Sequence, residues 1–99
     1  MTAEQQFKTM GFDIVAKAKK NANGPDMWVK KANKVLTVEI KKARRTQRMS
    51  YQCPPVEKNR MNDDLIAVEF PSGYVLIQSM AEHLASCGPK GYRTFAHVC

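Results

Sequence analysis

Ninety-nine residues, 43% hydrophobic and 25% charged, make one small domain with a single core, spanning 1–99, and leave no length for a second. No apolar run approaches the roughly 18 residues of a membrane span, and Met1 to Gln6 lacks the basic and apolar regions of a signal peptide, so a cytoplasmic location without membrane contact is expected. The net charge of +7 is unevenly placed: residues 17–48 hold eleven basic groups against Asp26 and Glu39, a local balance of +9, while the remainder sums to −2. A polyanion such as nucleic acid is the natural partner of such a segment. A solvated basic face is the plain alternative, but solubility alone needs no focus around two acids.

In chain order, Thr2 followed by Gln5 has the capping-box pattern, and Gly11 suits the left-handed stop of a short helix whose apolar face is Phe7 and Met10. Phe12, Ile14 and Ala16 alternate with Asp13, Val15 and Lys17, which predicts a strand. Residues 19–24 read as a turn closed by Pro25. Asp26 to Lys30 is the second strand, Lys31-Ala32-Asn33-Lys34 a turn, and Val35 to Lys41 the third strand. Leu36, Val38 and Ile40 give that strand a dry face, with Thr37, Glu39 and Lys41 on the other. Residues 42–48 are expected to form a short helix or a basic loop, and Cys53-Pro54-Pro55 interrupts regular structure before the polar stretch 57–62. Leu65 to Phe70 and Tyr74 to Gln78, joined by Pro71-Ser72-Gly73, read as a hairpin. Met80 to Ser86 reads as a short helix stopped by Gly88-Pro89, and Tyr92, Phe95 and Val98 as a tail packing back on the core. The pattern predicts an α/β (α+β) domain, with a mixed central sheet of about five strands flanked by short helices.

The turn 31–34 pairs Lys30 with Val35, and four steps back along each strand place Asp26 opposite Glu39. Facing residues of an antiparallel pair have Cβ atoms roughly 4.5–5.5 Å apart. Two carboxylates at that separation repel unless a cation lies between them, so the register predicts a metal site. Lys41 and Trp28 fall on the same face as the two acids.

A helix, then strands carrying Pro25-Asp26 on the second and Glu39-Ile40-Lys41 on the third, resembles the PD-(D/E)XK nuclease superfamily over residues 2–48. Within it, the small size and basic surface are most similar to Holliday-junction resolvases and short phage-type nucleases. The resemblance implies a restriction-endonuclease-like core and a Mg²⁺- or Mn²⁺-dependent endonuclease that hydrolyses DNA phosphodiesters, selective for branched or junction DNA. It implies that Asp26, Glu39 and the Ile40 carbonyl hold the metal, and that Lys41 orients the attacking water and steadies transition-state charge. Glu4, or less directly Asp13, would supply the acid that this family often adds from its first helix. Lys19, Lys20, Lys42, Arg44, Arg45, Gln47 and Arg48 are the expected DNA contacts. Two symmetric cuts would need a homodimer or higher homo-oligomer, with the 65–78 hairpin as an interface, acting in a bacterial or phage-infected cell.

Other readings remain beside it. A non-catalytic nucleic-acid-binding protein on the same fold would share the basic surface. His83, Cys87, His97 and Cys99 could together hold zinc, although their spacing fits none of the common patterns. Cys53, Cys87 and Cys99 are otherwise reduced thiols. Trp28 and Tyr51 could stack on unpaired bases or simply pack in the core, and Gln78 reads as structural.

Overall fold

The computed structural model describes residues 1–19, 24–47 and 50–96. In chain order the elements are α1 (Ala3–Thr9), β1 (Asp13–Lys17), β2 (Met27–Lys31), β3 (Lys34–Lys42), β4 (Arg44–Arg45), β5 (Tyr51–Cys53), a 3-10 turn at Lys58–Arg60, β6 (Leu65–Glu69), β7 (Val75–Ser79), α2 (Met80–Ala85) and β8 (Arg93–Phe95). Both bonds of the capping box form at α1: Thr2 Oγ1 accepts from the Gln5 amide at 3.2 Å, and Gln5 Oε1 accepts from the Thr2 amide at 2.9 Å. Gly11 turns the chain out of the helix at φ 89°. Phe7 is fully buried and meets Phe12 edge-on at 5.3 Å. Met10, expected on the apolar face, is instead the helix C-cap and 41% exposed.

Five strands form one sheet in the order β1-β2-β3-β6-β7, antiparallel at every step except the parallel pair β3–β6. The β2–β3 hairpin closes through a two-residue loop, Ala32 and Asn33, both at positive φ (52° and 64°). That conformation matches the right-handed twist of the strands it joins, and it gives the expected Lys30–Val35 register. The parallel register is pinned by Asp64. Its Oδ2 accepts from the Thr37 amide at 2.9 Å and from the Thr37 hydroxyl, while its own amide donates to Thr37 Oγ1 at 3.0 Å.

Both faces of this sheet are covered. On one, α1 packs Ala3 and Phe7 against Met27, Val29, Val38, Ala67 and Val75. On the other, Ile66, Val68, Phe70 and Met80 pack with Ala43, Cys53 and Val56 beneath a second sheet of order β4-β5-β8. This second layer corrects one expectation. Residues 42–45 are the end of β3 and a short strand, neither helix nor loop, because Arg44 and Arg45 pair with Gln52 and Tyr51. In the 65–78 hairpin, Ile66, Ala67, Val68 and Val75 are buried within the chain itself, while Tyr74, just before the edge strand β7, is exposed. The tail does return to the core: Phe95 meets Phe70 edge-on at 5.0 Å. Val98 lies outside the described residues.

Candidate active site

Asp26 stands where β2 begins, because Pro25 has no amide hydrogen to extend the ladder. The β2–β3 ladder runs to Met27–Val38, and the next step departs from ideal pairing. The Asp26 amide donates to the Val38 carbonyl at 2.9 Å, and its own carbonyl accepts from Ala18 on the other side. Its side chain then substitutes for the missing strand: Oδ2 accepts from the Ile40 amide at 2.7 Å. The carboxylate is thereby fixed beside Glu39, within reach of a proton shared between the two groups.

Glu39 is 5% exposed, the most deeply buried acid of the described residues. Burial raises its pKa from 4.5 to about 8, with the hydrogen bond and charge of Asp26 adding to the shift and the Lys41 ammonium opposing it. Lys41 lies two residues along the same face, as the strand period requires. Asp63 also acts on Glu39. It is 8% exposed, its pKa is raised first by burial, and its buried Oδ2 has no hydrogen-bond partner. The sequence reading passed over Asp63; its signal was the Asp63-Asp64 doublet opening a β run, where one acid pins the register and its neighbour turns inward.

Among the described residues, no three His, Cys, Asp or Glu side chains stand close enough to hold one ion. Asp26 and Glu39 are therefore a pair. A pair fits Mg²⁺, which prefers oxygen donors and keeps several of its waters. Burial first, and then Asp26, make ionised Glu39 costly, and Asp63 Oδ2 lacks a partner, so a divalent cation bound here would favour the ionised carboxylates.

Glu4 faces the same end of the sheet without joining the pair. Thr2, Ala3, Glu4, Lys17, Asp26, Met27, Ile40 and Glu69 line a cleft of about 330 Å³. Glu4 is held at 2.9 Å by Lys17 and at 3.4 Å by Lys8, and Lys17 is the main cause of its lowered pKa. A β-bulge delivers Lys17 there. Ile14 pairs with Val29 but Ala16 with Trp28, so Val15 is an extra residue and the face of Lys17 is reversed. Without the bulge, Lys17 would point away from α1. Asp13 pairs with Lys30 at the opposite end of β1, away from Asp26. Glu69 caps the helix, accepting from the Ala3 amide at 2.8 Å.

Of the expected DNA contacts, Lys19, Lys42, Arg44, Arg45 and Gln47 are exposed, and Lys20 and Arg48 lie outside the described residues. Trp28 pairs with Thr37, each two residues from an acid of the pair, and is half-buried. Tyr51 meets Phe70 edge-on at 5.6 Å, a packing role. His97 and Cys99 of the expected zinc set lie outside the described residues. His83 is fully buried against Arg93, and the Cys87 thiol donates to the His83 carbonyl. Burial pushes the Cys53 thiol up to about 11, which leaves it protonated and a poor nucleophile. Gln78 holds Arg93, in keeping with a structural reading.

No family model matches this chain, and no curated protein matches it. Among solved structures, the bacterial homing endonuclease I-Ssp6803I superposes with a TM-score of 0.75 at 10% identity, over 96% of this chain and 67% of that one. The chain therefore has the fold of a solved endonuclease, a mixed five-stranded sheet with short helices.

Proposed function

We propose that this protein is a divalent-metal-dependent endonuclease that hydrolyses DNA phosphodiester bonds. The observation that carries the proposal is the Asp26–Glu39 pair, with Lys41 on the same face, set in a fold shared with a homing endonuclease. Asp26 and Glu39 would hold Mg²⁺ or Mn²⁺, with the Ile40 carbonyl as a further ligand. The bound ion supplies a more acidic water and offsets charge on the scissile phosphate. Asp26 is fixed for this role by the Ile40 amide, which donates to its Oδ2. Lys41 orients the attacking water and stabilises the charge that builds on the phosphate oxygens. The exposed Lys42, Arg44 and Arg45 hold the flanking backbone. A domain of this size reads DNA shape more readily than long sequence, which supports branched or junction DNA as substrate. Paired cuts would require a homodimer.

The test is incubation with Mg²⁺ or Mn²⁺ and a panel of four-way junction, flap, nicked, single-stranded and duplex DNA. Wild type should cut, and Asp26→Asn should bind DNA as well or better without cutting. Cutting that survives in both Asp26→Asn and Lys41→Ala rules out this site. DNA binding without metal-dependent cutting of any substrate establishes the non-catalytic reading instead.

A further inference from the structure

We propose that Arg93 is a second anion site, taking a nucleic-acid phosphate beyond the scissile one, with Gln78 and His83 holding its guanidinium in place. The inference rests on nucleic acid being the ligand, as proposed above.

Arg93 sits on β8 directly opposite Cys53 of β5. Cross-strand partners project to the same side, and Cys53 is fully buried in the layer between the two sheets, so Arg93 enters that layer. There its Nη1 donates to Gln78 Oε1 and faces His83 Nδ1 at 3.2 Å, and its guanidinium lies 4.6 Å from the Phe95 ring centre. All three partners are uncharged. Burial first, and then Arg93 itself, pushes the His83 pKa down to about 4, so the imidazole is neutral at physiological pH. Among the described residues, the ion pairs are those of Glu4 with Lys8 and Lys17. Arg93 is thus a part-buried cation with no counter-charge in the described chain. Holding an unpaired charge out of water is costly, and the remaining donors of its planar fork suit the oxygens of a phosphate.

His83 strengthens the argument. A guanidinium only donates, so Nδ1 must accept and the imidazole proton lies on Nε2. That atom is buried with no partner, which leaves a donor desolvated. The imidazole keeps this unfavourable proton position while orienting Arg93.

The location is right for a neighbouring phosphate. Gln78 pairs with Ile66, and Ile66 with Glu39, so the three stand in one row across the sheet. At about 4.8 Å per strand, Gln78 is roughly 9–10 Å from Glu39. That is on the order of the distance from one phosphate of a strand to the next one or two, since the backbone path between phosphates is longer than the axial rise of about 3.4 Å per nucleotide. Lys41 stands opposite Val68, which packs with Cys53, and Arg93 stands opposite Cys53, so the two cations belong to one layer.

The experiment is metal-free binding of a labelled duplex over a salt series, by anisotropy, for wild type, Arg93→Met and Arg93→Lys. Arg93→Met should weaken binding about 10- to 100-fold, the worth of one charge-assisted contact, and should reduce the slope of log K against log salt by about 0.9. Arg93→Lys should keep the slope. A wild-type slope in folded Arg93→Met, or a slope lost equally in Arg93→Lys, overturns the proposal. Should Arg93→Met fail to fold, the Arg93 guanidinium NMR signal of wild type takes its place: it should shift on adding duplex, and an unmoved signal overturns the proposal. Wild type that binds no duplex overturns it as well. Failure of the nuclease reading appears separately, as absence of metal-dependent cutting, which this series does not measure.

Discussion

Replacing Glu39 with glutamine measures the cost of ionising a buried carboxylate beside Asp26. In the metal-free protein, Glu39 keeps its proton up to about pH 8, while the unfolded chain releases it near the ordinary 4.5. The folded state binds more protons between those values, so this stabilisation is fully present below pH 4.5 and is lost as pH rises through 8. At about 1.4 kcal/mol per pH unit, the shift sets a ceiling of about 5 kcal/mol, and the coupling to Asp26 brings a realistic loss to about 2–4 kcal/mol. Glu39→Gln keeps the shape and the neutral form but does not titrate. It should therefore melt within a few degrees of wild type at pH 4.5 and about 10–25 °C above it at pH 9, in chelator. His83 titrates in both proteins and cancels in the difference. The assay is thermal unfolding followed by circular dichroism across pH 4–9. Adding Mg²⁺ at pH 9 should restore much of the gap in wild type and leave Glu39→Gln unmoved. Melting curves that stay parallel across the whole pH range would refute the argument, because Glu39 would then be ionised in the fold at no cost.

Three further outcomes are expected. Ala32→Gly should stabilise the protein by about 1 kcal/mol in urea unfolding, because alanine is strained at φ 52° and glycine is not. Lys41→Met should lower kcat by about 100-fold or more with little change in DNA affinity, the split expected of a group whose interaction strengthens in the transition state. The His83 pKa is depressed to about 4, so its contribution is present above pH 6.5 and is lost as pH falls through 4. Urea midpoints should fall across that window in wild type, by up to about 3 kcal/mol in stability, and should stay flatter in His83→Gln.

The residues of the candidate site were legible because their signals are local. The capping box, the 31–34 turn and the alternation of Leu36, Val38 and Ile40 each lie within a few residues, and together they set the β2–β3 register. What stayed hidden depends on distant partners. Strands β4, β5 and β8 have two or three residues each, too few to show a period of two, and Gln52 finds Thr94 only after the chain has laid down β6, β7 and α2. The bulge at Val15 is invisible in an apparently regular alternation, yet it decides which face Lys17 serves. Asp63 and Asp64 are chemically identical in sequence. Only the pairing of Thr37 with the start of β6 separates the one that pins the register from the one turned inward.

The second sheet also decides how a substrate must approach. It packs over the face that carries Glu39 and Lys41, and Glu39 is 5% exposed, so on the proposed reading the scissile phosphate meets the pair at the margin of that layer, which also holds Arg93. Asp26 is less buried and opens on the cleft between α1 and the start of β2. On the proposed reading a phosphate can approach Asp26 through this cleft, past Glu4 and Lys17, while Glu39 and Lys41 do not line it. A volume of about 330 Å³ leaves room for a phosphate group with its waters. On the proposed reading, preference among DNA substrates is set by the exposed Lys42, Arg44 and Arg45 and by the bending needed to bring one phosphate inward. Charge reversal at Arg44 and Arg45 should accordingly change which DNA shapes are bound, while Lys17→Met should change the cleavage rate of all of them alike. A Lys17→Met variant that alters shape preference and leaves the rate untouched would move the approach path to another face.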